Sequence, residues 1–184
     1  MTLSTLAILI GAVYSAIQIF ALLRPEQFTK QARAFPRSEG IGFVLMGVGT
    51  AWFLYNLQAE AIADFAAYKK YMLLAFGAIG VLTCIFVRDF LAVRGLAVCL
   101  LLLAWFTLNR TRWVDAPARL VLVVWAYTWV IGGMWLTISP WRLRDFLNWW
   151  TATSTRLRAG SILQLALGVA VLVLGLTVFR QLPK

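Results

Sequence analysis

The sequence has no histidine and only seven acidic residues, and these two shortages exclude more chemistry than any motif adds. Without imidazole the chain lacks the usual ligand of haem and chlorophyll-type centres, of most membrane zinc sites and of His-based proton relays. The acids are Glu26, Glu39, Glu60, Asp64, Asp89, Asp115 and Asp145, and all of them fall in loops or at the ends of apolar runs. Ion-coupled carriers bury carboxylates near the bilayer midplane, where a cation must be bound and released, so a self-sufficient coupled transporter is not expected. Cysteine is scarce too. Cys84 and Cys99 both lie inside apolar runs, which reads as small buried hydrophobes rather than as a disulfide or redox pair.

Motifs for hydrolysis or nucleotide binding are also missing. Gly40-Ile41-Gly42 with Gly47-Val48-Gly49 imitates a phosphate loop, but it follows no strand and lacks the closing Lys-Ser/Thr. No catalytic residue, cofactor or metal is therefore expected, and the chain does not read as an enzyme.

What is present is apolar. The 184 residues are 62% hydrophobic and 13% charged, with a mean hydropathy of +0.83, against roughly 45–50% and about 25% in an ordinary soluble domain. Six runs stand out: Leu3 to Leu23, Gly40 to Leu57, Tyr71 to Val87, Gly95 to Thr111, Leu120 to Ser139, and Gly160 to Phe179. Backbone amides in hydrocarbon must bond within their own segment, so each run predicts a transmembrane helix. The expectation is an all-α polytopic bundle, six spans in three helical hairpins, forming a single membrane domain over residues 1–184. The first run has no basic segment before it and reads as a retained span rather than a cleaved signal. The fourth is the shortest in its uninterrupted core and spans only if Arg110 and Arg112 snorkel; failing that, spans three and four become a re-entrant hairpin. A faint repeat supports the hairpin unit: Arg88-Asp89-Phe90-Leu91 recurs as Arg144-Asp145-Phe146-Leu147, each copy after an odd-numbered span.

Small residues mark candidate packing seams, because they let two backbones approach closely. Gly40 with Gly47, and Gly42 with Gly49, recur at seven-residue spacing; Gly11 with Ser15, Ala12 with Ala16, and Ala166 with Ala170 are small-xxx-small pairs. Gly132-Gly133 predicts close approach or a bend in the fifth span. Polar residues inside spans are few, namely Gln18, Thr83, Tyr127, Thr128 and Gln164, and interhelical hydrogen bonds are their expected use.

The net charge of +10 would suggest nucleic acid in a soluble chain, but here the basic residues lie between apolar runs. Anionic lipid headgroups are the expected partners, and nucleic acid is not. The loops after spans one, three and five hold ten basic residues: Arg24, Lys30, Arg33, Arg37, Arg88, Arg94, Arg142, Arg144, Arg156 and Arg158. The other side holds seven: Lys69, Lys70, Arg110, Arg112, Arg119, Arg180 and Lys184. That bias, with an uncharged N-terminal tail, predicts both termini outside the cytoplasm of a bacterial-type inner membrane. Tryptophans cluster beside span ends, as at Trp52, Trp105, Trp113, Trp141, Trp149 and Trp150. In the first and third of the more basic loops, aromatics alternate with cations. Short amphipathic helices lying in the headgroup layer are predicted there.

Two functions are compatible with this inventory. The first is a non-catalytic subunit or scaffold of a larger membrane assembly, packing against other subunits or further copies of itself, lipids or apolar cofactors. The alternative is a small transporter or lipid-handling protein for an anionic or amphipathic substrate, which predicts a cavity lined by Tyr127, Thr128 or Gln164 and a role for Arg94 or Arg158.

Overall fold

A computed structural model describes residues 2–60 and 63–181. Lys184 and the side chain of Asp64, both used in the charge arguments above, lie outside what is described. Among the described residues the chain forms eight α-helices and no strand. They are α1 Leu3–Leu23, α2 Pro25–Ala34, α3 Glu39–Ala59, α4 Lys69–Phe86, α5 Leu91–Thr111, α6 Arg119–Ile138, α7 Trp141–Trp150 and α8 Ser154–Leu176. All except α2 and α7 are long and apolar enough to cross a bilayer. The fold is an all-α helical bundle.

Local signals account for most boundaries. Thr2 caps α1, its hydroxyl accepting from the Thr5 amide at 3.2 Å. Pro25 opens α2 with no donor to waste, and Pro36 sits in the short 3₁₀ turn Phe35–Arg37 that follows it. At the end of α3, the Lys69 ammonium donates to the carbonyls of Gln58 and Glu60 at 2.6 and 2.9 Å, satisfying acceptors the helix leaves open.

The two basic-aromatic loops do fold as short amphipathic helices, α2 and α7. The fourth span is a full helix of 21 residues, and the most covered of the six. It starts four residues earlier than its apolar core suggests, because Leu91, Ala92 and Val93 are all buried and carry the helix back past Arg94. At the other end of the chain, α8 starts six residues early, placing Arg156 and Arg158 on its first turns, and stops at Leu176. The chain then turns, the Phe179 amide donating to the Leu174 carbonyl, and returns Phe179 to the core. The two copies of Arg-Asp-Phe-Leu adopt different structures. Residues 144–147 lie within α7, whereas 88–91 make the turn into α5, with Phe90 at φ 56°. Tertiary context overrides the shared tetrapeptide, since a non-glycine residue in that region costs of order 1–3 kcal/mol.

The chain divides into two compact units, each assembled from separate stretches. The first takes Met1–Arg33, Ala104–Thr128 and Arg144–Lys184; the second takes Ala34–Leu103 and Trp129–Leu143. Helices α5, α6 and α7 each contribute to both.

In the first unit, α1 runs antiparallel to α8 and packs along much of its length. The Ser4 hydroxyl donates to the Gly175 carbonyl at 2.8 Å near one end, and Gln18 meets Gln164 near the other. Glycines set the spacing between: a Cβ on Gly11 would lie 2.6 Å from the Leu172 nitrogen, and one on Gly175 would lie 2.9 Å from the Ile8 nitrogen. Ala7, Val171, Phe179 and Leu122 of α6 close this core.

In the second unit, α3 and α5 lie side by side and parallel. Gly42 meets Ala92, Gly95 meets Met46, and Gly49 meets Val98, so the register advances in step along both helices. Helix α4 folds back on α3 as a hairpin, Gly80 against Thr50 and Phe76 against Phe53 with ring centroids 5.0 Å apart. Val93, Ala97 and Leu136 form the buried centre. Both cysteines are free thiols, and Cys99 donates to the Leu45 carbonyl at 3.5 Å.

Candidate functional site

The first unit holds a polar layer inside the α1–α8 seam. On α1, Ser4, Ala7, Gly11, Ser15 and Gln18 follow a spacing of three and four; on α8, Leu157, Ser161, Gln164, Gly168, Val171 and Gly175 do the same. This stripe on each helix faces the other. Gln18 is 3% exposed, and its amide donates to Gln164 Oε1 at 2.7 Å. Ser15 Oγ, Ser161 Oγ and Gln18 Oε1 are buried and have no partner among the described residues. An interhelical hydrogen bond in hydrocarbon is worth about 0.6 kcal/mol, while an unpaired buried group costs about 1–3 kcal/mol. Gln164→Leu should therefore cost more than the bond itself, because it leaves both ends of the Gln18 amide unpaired. Gln18→Leu with Gln164→Leu should recover most of that loss. Thermal unfolding of the two singles and the double in detergent measures the coupling; additive losses would refute it.

Beside this layer lies a lateral groove of about 620 Å³, within the size range of small-molecule sites. Its walls are Tyr14 of α1, Leu120, Val121, Val124, Trp125 and Thr128 of α6, and Gln164, Leu167, Ala170 and Val171 of α8. Tyr14 packs edge-on to Trp125 with centroids 4.9 Å apart. Most of the lining is aliphatic. Thr128 already donates to the Trp125 carbonyl at 2.6 Å, which leaves the Gln164 amide and the Tyr14 hydroxyl as the polar groups offered to an occupant. The structure thus brings together Thr128 and Gln164 of the anticipated cavity but places Tyr127 elsewhere. Tyr127 lines a second concavity of about 390 Å³ with Leu108, Asn109, Arg112, Arg119, Leu120 and Val123.

The basic-aromatic loops of this unit are tied to one another. Arg33 of α2 donates to the Thr151 hydroxyl at 2.9 Å and to the Thr151 carbonyl at 3.0 Å. Phe28 meets Trp150 edge-on at 5.9 Å, and Trp150 packs its indole nitrogen against Gly160 of α8. Arg24 donates to Gln27 at 3.3 Å, Arg144 pairs with Asp145 at 2.9 Å, and Arg156 lies over the Trp149 ring at 5.3 Å. Of the residues picked out for the headgroup layer, Arg33 and Trp150 thus join α2 to the α7–α8 region. Lys30, Arg158 and Trp149 are exposed. In the second unit Arg37, Trp141 and Arg142 are exposed, and Arg94 is half-buried with its Nε unpartnered among the described residues.

The candidate packing residues divide. Gly11, Ser15, Gly42 and Gly49 are buried in seams, and Gly133 packs against Leu101 and Ala97. Gly40, Gly47 and Gly132 have nothing within 4 Å, and Ala166 and Ala170 are exposed. Seven-residue spacing puts Gly40 and Gly47 on one face of α3, while the face covered within the chain is that of Gly42, Met46 and Gly49. Sequence reasoning did not single out Ser161, Thr151 or the Arg112–Arg119 concavity. The three-four spacing of small and polar residues along α8 was the available signal for Ser161; no local pattern marks the other two.

Six long apolar helices with aliphatic and aromatic side chains on their outer surfaces define the class, a multi-pass helical integral membrane protein. No family model matches the chain, and no curated protein or solved structure matches it either.

Proposed function

We propose that the chain is a non-catalytic subunit of a membrane assembly, a scaffold that packs its uncovered small-residue faces against other transmembrane helices. The observation that carries this reading is the open space above Gly40 and Gly47 on α3 and above Gly132 on α6. Glycine in a helix interior costs about 1 kcal/mol relative to alanine. That cost is offset in a lipid-facing helix when a neighbouring backbone closes on the glycine. Helix α4 supports the same reading, since it is the least covered of the six spans.

Native mass spectrometry in mild detergent tests it. The wild-type chain should appear as an oligomer or with a partner, and Gly47→Leu should reduce that association while leaving the fold intact. A chain that stays monomeric and brings down no partner overturns the proposal. The orientation that fits best puts both termini outside the cytoplasm of a bacterial-type inner membrane, supported by the ten-to-seven distribution of basic residues. α2 and α7 then lie on the anionic cytoplasmic leaflet.

The groove favours a second reading, a lipid-handling protein. Its volume and largely aliphatic lining suit an acyl chain, with Gln164 and Tyr14 adding polar groups.

A further inference from the structure

We propose that the first unit binds one anionic glycerophospholipid, its phosphate held by Arg112 and Arg119 and one acyl chain laid along α6 into the lateral groove. This deepens the lipid-handling reading and is independent of the scaffold one.

The two concavities of this unit share a wall. Leu120, at the start of α6, lines both the one that holds Arg112, Arg119 and Asn109 and the groove that continues past Val124 to Thr128. Helical rise makes that path about 12 Å long. Its mouth carries cations and its length is aliphatic, the polarity order of a phospholipid. The mouth also lies where α5 ends and α6 begins, the level at which headgroups sit beside a spanning helix.

The arginines are arranged to receive an anion. Arg119 spends only its Nη1 on the protein, donating to the carbonyls of Arg112 and Val114 at 3.2 and 2.7 Å. Those bonds lock the loop and leave its other guanidinium nitrogens available. Arg112 lies over the Trp113 ring at 5.2 Å, a contact that orients the guanidinium plane without occupying its N–H edges. Neither arginine has a carboxylate partner among the described residues, although Asp115 is in the same loop. Planar guanidinium groups recognise phosphate oxygens in pairs. Asn109, exposed beside them, supplies an amide for a neutral headgroup atom.

The test uses the full chain in mild detergent, with phosphatidylglycerol or phosphatidylcholine added back and bound lipid counted by native mass spectrometry. Wild type should retain phosphatidylglycerol in preference to phosphatidylcholine. Arg112→Gln should weaken that retention about tenfold, the loss expected for a charge-assisted bond. Lys70→Gln, which removes a charge elsewhere, should change it by less than about twofold. Val124→Trp, which fills the groove, should weaken it as well. A melting temperature for Arg112→Gln equal to that of wild type excludes unfolding as the cause. Retention unchanged in Arg112→Gln, equal loss in Lys70→Gln, or equal retention of the two lipids overturns the proposal. If Val124→Trp alone loses lipid, the groove holds an acyl chain without choosing a headgroup, and only the lipid-handling reading survives.

Discussion

Gly11→Leu is expected to drive α1 away from α8 and to destabilise the protein by at least about 3 kcal/mol, at the upper end of overpacking costs. Even the first carbon of the new side chain would stand 2.6 Å from the Leu172 nitrogen and 2.8 Å from the Gly168 carbonyl oxygen. Both are backbone atoms of a helix and cannot rotate aside. Leucine gains about 1 kcal/mol of helix propensity over glycine, too little to compensate. Gly47→Leu is the internal comparison: the same exchange, with no atom within 4 Å, should leave unfolding unchanged or slightly raise its temperature. Thermal unfolding in detergent, followed by tryptophan fluorescence, reads both. Equal melting temperatures for the two variants would mean that the α1–α8 seam does not hold the first unit together.

Gly95→Leu should be comparably damaging in the second unit. Its Cβ would stand 2.7 Å from the Met46 nitrogen and 2.9 Å from the Leu45 carbonyl carbon, where α5 passes α3. Gly132→Leu, in the same unit but with open space around it, is the matched control. Because a Cβ on Gly42 would likewise stand 2.8 Å from the Ala92 nitrogen one turn away, the strain at Gly95 cannot be relieved by sliding one helix along the other. Proteolysis in detergent provides the second measurement: Gly95→Leu should open the buried start of α5, Leu91 to Val93, to cleavage, and Gly132→Leu should not. A protease-resistant Gly95→Leu would contradict the parallel α3–α5 contact.

The amphipathic helices were legible for a simple reason. Phe28, Phe35, Trp149 and Trp150 alternate with cations at helical spacing, and that pattern is local. Gly40 and Gly47 were not legible in the same way. Their spacing is identical to that of Gly42 and Gly49, and only the position of α5 determines which pair is covered. The candidate lipid site was hidden for a related reason: Arg112 and Asn109 end one helix while Leu120 and Val124 begin the next, and their common concavity exists only once α5 and α6 are packed.

Six long apolar helices and two short amphipathic ones follow from the order of residues alone, because hydrocarbon requires each segment to satisfy its own backbone and interfaces attract alternating aromatics and cations. The pairing of α1 with α8 and the parallel course of α3 and α5 emerge only from the packed helices. Between oily helices the choice of partner rests on surface fit at a few glycines and one glutamine pair, and that fit depends on atoms far apart in the sequence.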